Sequence, residues 1–461
     1  MVMRRYWLLA CPARIYSYRE AGMTTWRNWA GNQSAHPARV RFPGSVDELS
    51  DLVAGAAHDG IRVKAIGSGH SFTAIGSTDG VHLRLERLAG LISADSSTGL
   101  VTVEAGMPLH RLNRILDETD LALSNLGDID RQTVAGAIST GTHGTGRRLG
   151  GLATQVRALQ IVLADGSVVN CSASERPELF SAARVGLGAL GILASVTLQA
   201  EPAFHLHACE QPMRLPVVLA GLDELVTQNE HFEFFWFPHT DLTLTKCNNR
   251  MPLGTTPSPL SRRRAFIDDE VLSNGVFWLT CRAGRLRPNL IPRINSVTAR
   301  ALGRRDYVDA SYRVYVSRRR VRFVEMEYSV PAESVRQGLD AIARVIEDNH
   351  LKVSFPVEVR FTAADDIPLS TASGRAAAYL AVHMFKGQPY ERYFRAVETA
   401  LTTLDGRPHW GKMHYRDAES LRSSYPRFAE FVEIRDRLDP EGRFTNDYLD
   451  RVLGRVGARG S

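Results

Sequence analysis

The sequence predicts an α+β protein of two domains, the first built around glycine-rich loops and the second around an antiparallel sheet. Three observations carry this. At 461 residues the chain is longer than one hydrophobic core usually serves. Its glycines gather in clusters at 67–69, 136–146 and 186–191. After Pro202 the texture changes to long aromatic strands alternating with helical segments. We place the domain boundary near residue 203, giving a first domain over 26–203 and a second over 204–461.

Residues 1–25 are expected to form a disordered extension, with Met23 near the start of the structured chain. Arg4 and Arg5 precede Tyr6-Trp7-Leu8-Leu9-Ala10-Cys11, an apolar run shorter than a signal core of roughly 7–15 residues. Ser45 and Glu48 form a capping box ahead of apolar positions at helical spacing, Val46, Leu49, Leu52, Val53 and Ala56. Ile61–Ile66 and Val81–Leu85 alternate like strands. Residues 91–105 read as a hairpin turning at 96–99. Pro108 opens a helix reaching Glu118. Asp165-Gly166 joins two apolar runs as a tight turn. In the second half, strands are expected at Phe232–Phe237, Phe323–Val330 and Phe355–Phe361. Helices are expected near 215–229, 332–348 and 390–404, and the proline-rich stretch 252–262 reads as an irregular loop.

Composition narrows the function. Hydrophobic residues make up 44% and charged residues 23%, an ordinary globular balance. The net charge is +6, and the basic runs Arg262–Arg264 and Arg318–Arg320 read as solvated loop arginines. Without interleaved aromatics or a reading motif, they give no nucleic-acid partner. The cysteines at 11, 171, 209, 247 and 281 are widely spaced with no CxxC pair, which argues against structural zinc and for a reduced, cytoplasmic protein. His205, His207 and Cys209 share a strand face that we read as ordinary rather than metal-binding. No metal is expected. No run approaches the ~18 apolar residues of a membrane span, while peripheral membrane association stays open.

The glycine clusters differ in meaning. Ile66-Gly67-Ser68-Gly69-His70-Ser71-Phe72 follows a strand directly and can turn backbone N–H groups toward an anion. Residues 134–146 are almost entirely small or hydroxylated, suiting a flat ring or diphosphate against the backbone, and Val134 and Ile138 anchor them. Gly186-Leu187-Gly188-Ala189-Leu190-Gly191 matches GxGxxG but sits between a helix and a strand in the wrong order, which excludes a Rossmann NAD site. No GxxxxGK[ST] motif is present.

Together, over roughly residues 36–203, these loops resemble the PCMH-type FAD-binding domain of the vanillyl-alcohol-oxidase superfamily. The remainder resembles its sugar-lactone branch, the aldonolactone oxidases. The residues that carry this are Phe234-Phe235-Trp236-Phe237-Pro238-His239-Thr240, Glu325-Met326-Glu327-Tyr328, Glu358-Val359-Arg360, His409-Trp410-Gly411-Lys412 and Asp439-Pro440-Glu441-Gly442-Arg443-Phe444. The resemblance implies FAD held by Ile66, Gly67, Ser68, Gly69, His70, Ser71 and Phe72, by Gly127 and Thr133, and by Gly136, Ser139, Gly141, Thr142, His143, Gly144, Thr145, Gly146 and Ile192. It implies a covalent bond from His70 to the flavin 8α-methyl carbon, and a C-terminal segment returning to the flavin. Glu358 and Arg360, two apart on a strand, would share one face toward substrate. Lys412 would add a second cation, and His383 acid–base capacity. His409 reads equally as a packed or a catalytic histidine. Gly127, facing the flavin, leaves room for oxygen.

The implied reaction is hydride transfer from an L-gulono-1,4-lactone-like substrate to flavin N5, with oxygen or another acceptor taking the electrons. An alditol oxidase, acting on xylitol- or sorbitol-type polyols with the same flavin site, is the alternative. A flavin-binding protein with a dead site is the third, opposed by the intact Glu358, Arg360 and Lys412.

Overall fold

The structure, a computed structural model, describes residues 25–457 except 253 and 318. The expected N-terminal extension, the signal-like run and Cys11 lie outside the described residues, apart from Thr25 at the extension's end. The first half holds two sheets. Val81–Arg84 lies between Arg39–Arg41 and Val63–Ile66 in a three-stranded parallel sheet. A five-stranded antiparallel sheet runs in the order Val168–Ser172, Val156–Val162, Ile192–Gln199, Leu100–Glu104 and Leu91–Asp95. Helix Val46–His58 starts where expected, with Ser45 Oγ accepting from Glu48 N at 3.1 Å. The Glu48 carboxylate caps Gly44 N instead of Ser45 N, one residue outside the expected box. The helix Leu109–Glu118 and the turns at 96–99 and 165–166 also follow the sequence reading. Residues 186–191 stand between helix Pro177–Ala183 and strand Ile192–Gln199, the reverse of a Rossmann turn.

The second half is dominated by one eight-stranded sheet. Its order is Arg305–Ala310, His205–Arg214, Leu242–Arg250, His231–Trp236, Val357–Thr362, Ala377–Phe385, Phe323–Pro331 and Arg407–Pro408. Helices Val335–Asp348 and Glu391–Thr402 pack on one face. Gly338 permits this close approach, since a Cβ there would stand 2.4 Å from Leu380 Cδ1. Between Leu242–Arg250 and Arg305–Ala310 the chain makes a helical excursion over residues 262–301. Arg262–Arg264 thus lie on a short exposed helix, not the expected loop.

Register makes the central strands two-sided. Glu325 pairs with His383, Glu327 with Ala381, Glu358 with Phe235 and Ala381, and Arg360 with Tyr379. Directly paired residues in an antiparallel sheet project to the same side. Glu325, Glu327, Glu358, Arg360, Tyr379 and His383 therefore form one polar face, extended by Glu233 and its partner Lys246. Val324, Met326, Val359, Leu380 and Val382 occupy the other face and join the core under the helices. The polar face is buried as well, because the first half of the chain covers it.

The two halves interlock. Gly146 N donates to Phe361 O at 2.7 Å, and Thr145 Oγ1 donates to Phe232 O at 2.5 Å while accepting from Phe361 N at 3.2 Å. From the C-terminal end, Arg443 O accepts from Val63 N at 2.8 Å, and Asn446 Nδ2 donates to carbonyls of Ala74, Ile75 and Ser77. Cys171, Cys209, Cys247 and Cys281 are free. His207 Nε2 lies 2.8 Å from Asp306 Oδ1 on the strand face shared with His205 and Cys209. No helix among the described residues is long and apolar enough to cross a membrane.

Candidate active site

The loop after Val63–Ile66 opens onto a groove of about 630 Å³. Its walls include Ile66 to Ser71, Thr133, Gly136, Ser139 and Ile192, all expected, together with Lys64, Trp26, Arg84, Arg111, Leu187 and Gly188, which were not. Among the described residues, the N–H groups of Ser68, Gly69, His70 and Ser71 have no protein acceptor. Unpaired amides in a strand-end loop form a nest for an anion such as a diphosphate. Glycine is required here on two counts. A Cβ at Gly67 would stand 2.5 Å from Thr133 Oγ1, and Gly69 has φ +70°. Thr133 caps helix Val134–Ser139 by accepting from Gly136 N at 3.2 Å. The groove therefore has the volume, the free amides and the close backbone that suit a dinucleotide such as FAD.

Lys64 lies in this wall. Its Nζ donates to Gly188 O at 3.1 Å and Phe444 O at 2.8 Å. Burial lowers its pKa to about 7, with Asp439 opposing. One side chain thereby joins the strand before the loop, the 186–191 turn and the C-terminal segment.

At one end the groove meets a second, smaller cavity, and His70, Ser71, Gln132 and Thr140 line both. Trp29 stacks on His70 with ring centroids 5.7 Å apart. Burial, then Lys412 and Arg131, lowers the His70 pKa to about 4, so its ring is neutral. The small cavity is walled by Phe72, Gly127, Asp128, Thr142, His143, Glu327, Arg360, His409 and Lys412. Gly141, Gly144, Thr145 and Gly146 line neither space. Thr145 and Gly146 serve the seam between the halves, and a Cβ at Gly144 would strike Leu126 O at 2.2 Å.

Charged groups are interleaved behind the cavity wall. Arg360 Nε donates to Glu233 Oε2 at 2.8 Å, while its Nη2 contacts Glu358 Oε1 and lies 3.5 Å from Asp128 Oδ2. Arg319 contacts Asp128 and lies 3.8 Å from Glu358. Lys412 Nζ is 2.5 Å from Glu325 Oε2, and Lys246 Nζ is 3.4 Å from Glu233. Burial opposes the charge on Asp128, yet Arg319 and Arg360 hold its carboxylate well below the usual range. Burial likewise opposes Lys412, and Glu325 and Glu327 outweigh it to raise the ammonium. Glu358 behaves differently. There burial outweighs Arg360, Asp128 adds repulsion, and the carboxyl is pushed up.

Hydrogen-bond geometry orients the histidine rings. His383 Nδ1 lies 3.2 Å from Pro356 O and so carries hydrogen, leaving Nε2 toward Glu325 at 3.5 Å and Glu358 at 3.9 Å. His143 Nδ1 lies 2.9 Å from Gly144 O, which turns its Nε2 toward Glu327 at 3.4 Å. His409 Nδ1 accepts from Gly411 N at 3.0 Å, leaving hydrogen on Nε2. His143, Glu327 and His409 have metal-ligand spacing. A neutral His409 has no free lone pair to offer, and Lys412 and Arg360 share the cavity wall, which disfavours a cation.

Of the four expected catalytic residues, Arg360 and Lys412 line the cavity, whereas Glu358 and His383 stand one layer behind. Asp128, Glu233, Lys246, Arg319, Glu325 and Glu327 enter the network without having been singled out as site residues. Arg319 corrects the expectation of solvated arginines at 318–320, since its guanidinium is drawn inward by Asp128 and Glu358.

Comparison with known proteins identifies the family. Residues 196–452 match the family model described as D-arabinono-1,4-lactone oxidase, and residues 37–172 match that described as FAD binding domain. An L-gulono-1,4-lactone dehydrogenase of Mycobacterium tuberculosis is 44% identical over 93% of this chain and 99% of its own. An L-gulonolactone oxidase of Bos taurus is 36% identical over 93% of this chain and 98% of its own. An alditol oxidase of a Streptomyces species is 33% identical, covering 92% and 98%. Among solved structures, a cholesterol oxidase from Brevibacterium sterolicum superposes with TM-score 0.78 at 17% identity, covering 94% and 97%, and shares the fold.

Proposed function

The chain belongs to the D-arabinono-1,4-lactone oxidase family of FAD-dependent oxidoreductases, and from this we propose that it oxidises an aldono-1,4-lactone of the L-gulono type at a hydroxyl-bearing carbon. The observation that carries the reading is the junction at His70, where the amide-lined groove opens into a cavity walled by Arg360, Lys412, Glu327 and His409. Bound FAD supplies the two-electron, hydride-accepting chemistry that no side chain provides.

The side chains supply the rest. Arg360 and Lys412 hold the lactone oxygens and favour negative charge beside the ring system. Glu358 and Glu233 fix the Arg360 fork, and the network around them excludes water. Glu327, in the cavity wall, accepts a hydrogen bond from the substrate hydroxyl. His409, with hydrogen on Nε2, donates to a substrate oxygen. His70 is neutral and stands at the junction, which supports its bonding covalently to the flavin 8α-methyl carbon. Gly127, in the cavity wall, supports access for oxygen as electron acceptor. The widely spaced cysteines support a reducing, cytoplasmic setting.

Anaerobic mixing with a panel of lactones and polyols tests the assignment. L-gulono-1,4-lactone should bleach the flavin absorbance, and xylitol should not. Bleaching by polyols alone would transfer the enzyme to the alditol branch. Yellow colour that stays with acid-precipitated protein would demonstrate the covalent bond.

A further inference from the structure

Across the eight-stranded sheet one row reads Asp306, Cys209, Cys247, Phe232, each residue directly opposite the next. Cys209 and Cys247 are free and half-buried, and among the described residues no other two cysteines face each other. Cys171 lies opposite Leu159 and Cys281 on a helix, and both are buried. Directly opposed residues of antiparallel strands project to the same side, with Cα atoms roughly 4.5–5.5 Å apart. A disulfide spans Cα separations of about 4.4–6.8 Å. The backbone therefore holds these two sulfurs within reach of a bond.

Their surroundings differ. The Arg304 guanidinium lies beside Cys209 and also reaches Asp306 at 3.0 Å. A cation next to a partly exposed sulfur is the setting of cysteines that react. Cys247 packs instead against the core beneath the helices. Burial pushes its thiol up to about 11, and Cys209 adds to the rise. Cys209 is thus the sulfur that meets an oxidant, and Cys247 the one that answers it. At neutral pH roughly one Cys247 in 10⁴ is ionised. Attack on a neighbour held in place runs at an effective concentration of about 10⁵ M or more, which outweighs that small fraction.

We propose that Cys209 and Cys247 form a reversible disulfide when the protein meets hydrogen peroxide. The Cys209 sulfur attacks one peroxide oxygen, the O–O bond breaks, and the other oxygen leaves as water, giving a sulfenic acid at Cys209. Cys247 then attacks that sulfur, the S–O bond breaks, and the oxygen leaves as water with the proton from Cys247. Two thiols lose two electrons, and the peroxide takes them up as it becomes two waters. The resolving partner keeps Cys209 from passing on to the irreversible sulfinic acid. The bridge closes a loop that contains Glu233 and Lys246, and so clasps the strands that steady Arg360. The inference holds for peroxide of any origin and whichever lactone or polyol is oxidised.

The test treats the FAD-loaded full chain with about 1 mM hydrogen peroxide, blocks the remaining thiols with N-ethylmaleimide under denaturing conditions, and maps the peptides by mass. The Cys209 and Cys247 peptides should be found joined, about 2 Da below their summed mass, and should separate after dithiothreitol. In Cys247→Ser the Cys209 peptide should instead gain about 32 Da, a sulfinic acid that dithiothreitol does not reverse. In Cys209→Ser, Cys247 should stay open to the maleimide. Oxidation should raise the Tm of the parent by about 5 °C, the effect of closing a loop of this length, and should not raise that of either variant. An unbridged parent, a bridge through Cys11, Cys171 or Cys281 in place of this one, or a Cys209 left unmodified in Cys247→Ser would overturn the proposal.

Discussion

Replacing Glu358 with Gln asks where the proton of the buried network resides. Glu358 is 4% exposed and lies among Arg360, Arg319 and His383. If the carboxyl is protonated, an amide of the same shape exchanges one donor for another, and stability changes by less than about 1 kcal/mol. An ionised Glu358 would behave otherwise. Its neutralisation would leave buried guanidinium charge uncompensated and cost about 3–5 kcal/mol, roughly 10 °C in Tm for a unit of this size. The pH dependence gives a second reading. Burial raises the folded carboxyl above its ordinary 4.5. The folded chain then keeps a proton that the unfolded chain releases. Its stabilising contribution is complete below 4.5 and is lost as pH rises through the folded value. Glu358→Gln should abolish that decline. Thermal unfolding of the parent and the variant across neutral pH, read by tryptophan and flavin fluorescence, measures both effects. A variant destabilised by about 3 kcal/mol or more, with a pH profile parallel to the parent, would refute a protonated Glu358.

Three further outcomes follow from the geometry. His70→Ala should still retain yellow colour after gel filtration, because the groove remains, but lose it on acid precipitation; colour surviving acid would place the covalent bond elsewhere. Gly127→Ala puts a Cβ 3.2 Å from both His143 O and Thr142 Cγ2. Oxygen consumption should fall about tenfold, near 1.4 kcal/mol of barrier, with dye reduction largely kept. Equal loss with both acceptors would remove Gly127 from oxygen access. Lys64→Met strands the carbonyls of Gly188 and Phe444 and should cost about 1–3 kcal/mol at high pH. Because burial depresses the Lys64 pKa from 10.5 to about 7, the parent loses stability as pH falls through that window. Urea titrations should show the gap between parent and variant narrowing toward neutral pH, and parallel curves would contradict the assignment.

Local physics made much of this legible. The helix at 46–58 and the turn at 165–166 are written in spacing and capping, and the loop before Phe72 in its glycines. Alternation placed Glu358 and Arg360 on one face, and their contact follows. What escaped is what only register creates. Nothing near Glu325 announces His383, and Asp128 finds Arg319 191 positions away. Arg319 reads as loop surface because its own neighbours are polar, while the groups that draw it inward come from distant segments. Lys64 was hidden for another reason. An alternating strand suggests one wet face, but Val63–Ile66 belongs to a parallel sheet and is covered on both sides, so its lysine is 3% exposed.

The seam at Thr145 also sets an order of assembly. Its hydroxyl awaits Phe361, 216 positions downstream, and Lys64 awaits Phe444, 380 positions downstream. At ribosomal speeds of roughly 5–20 residues per second, the first wait lasts about 10–40 s. During that time the nascent glycine loops have neither their roof nor their clasp. Capture of the dinucleotide is therefore a late event in biosynthesis, completed as the tail leaves the ribosome. A chain truncated before Phe444 should emerge colourless even with every glycine in place.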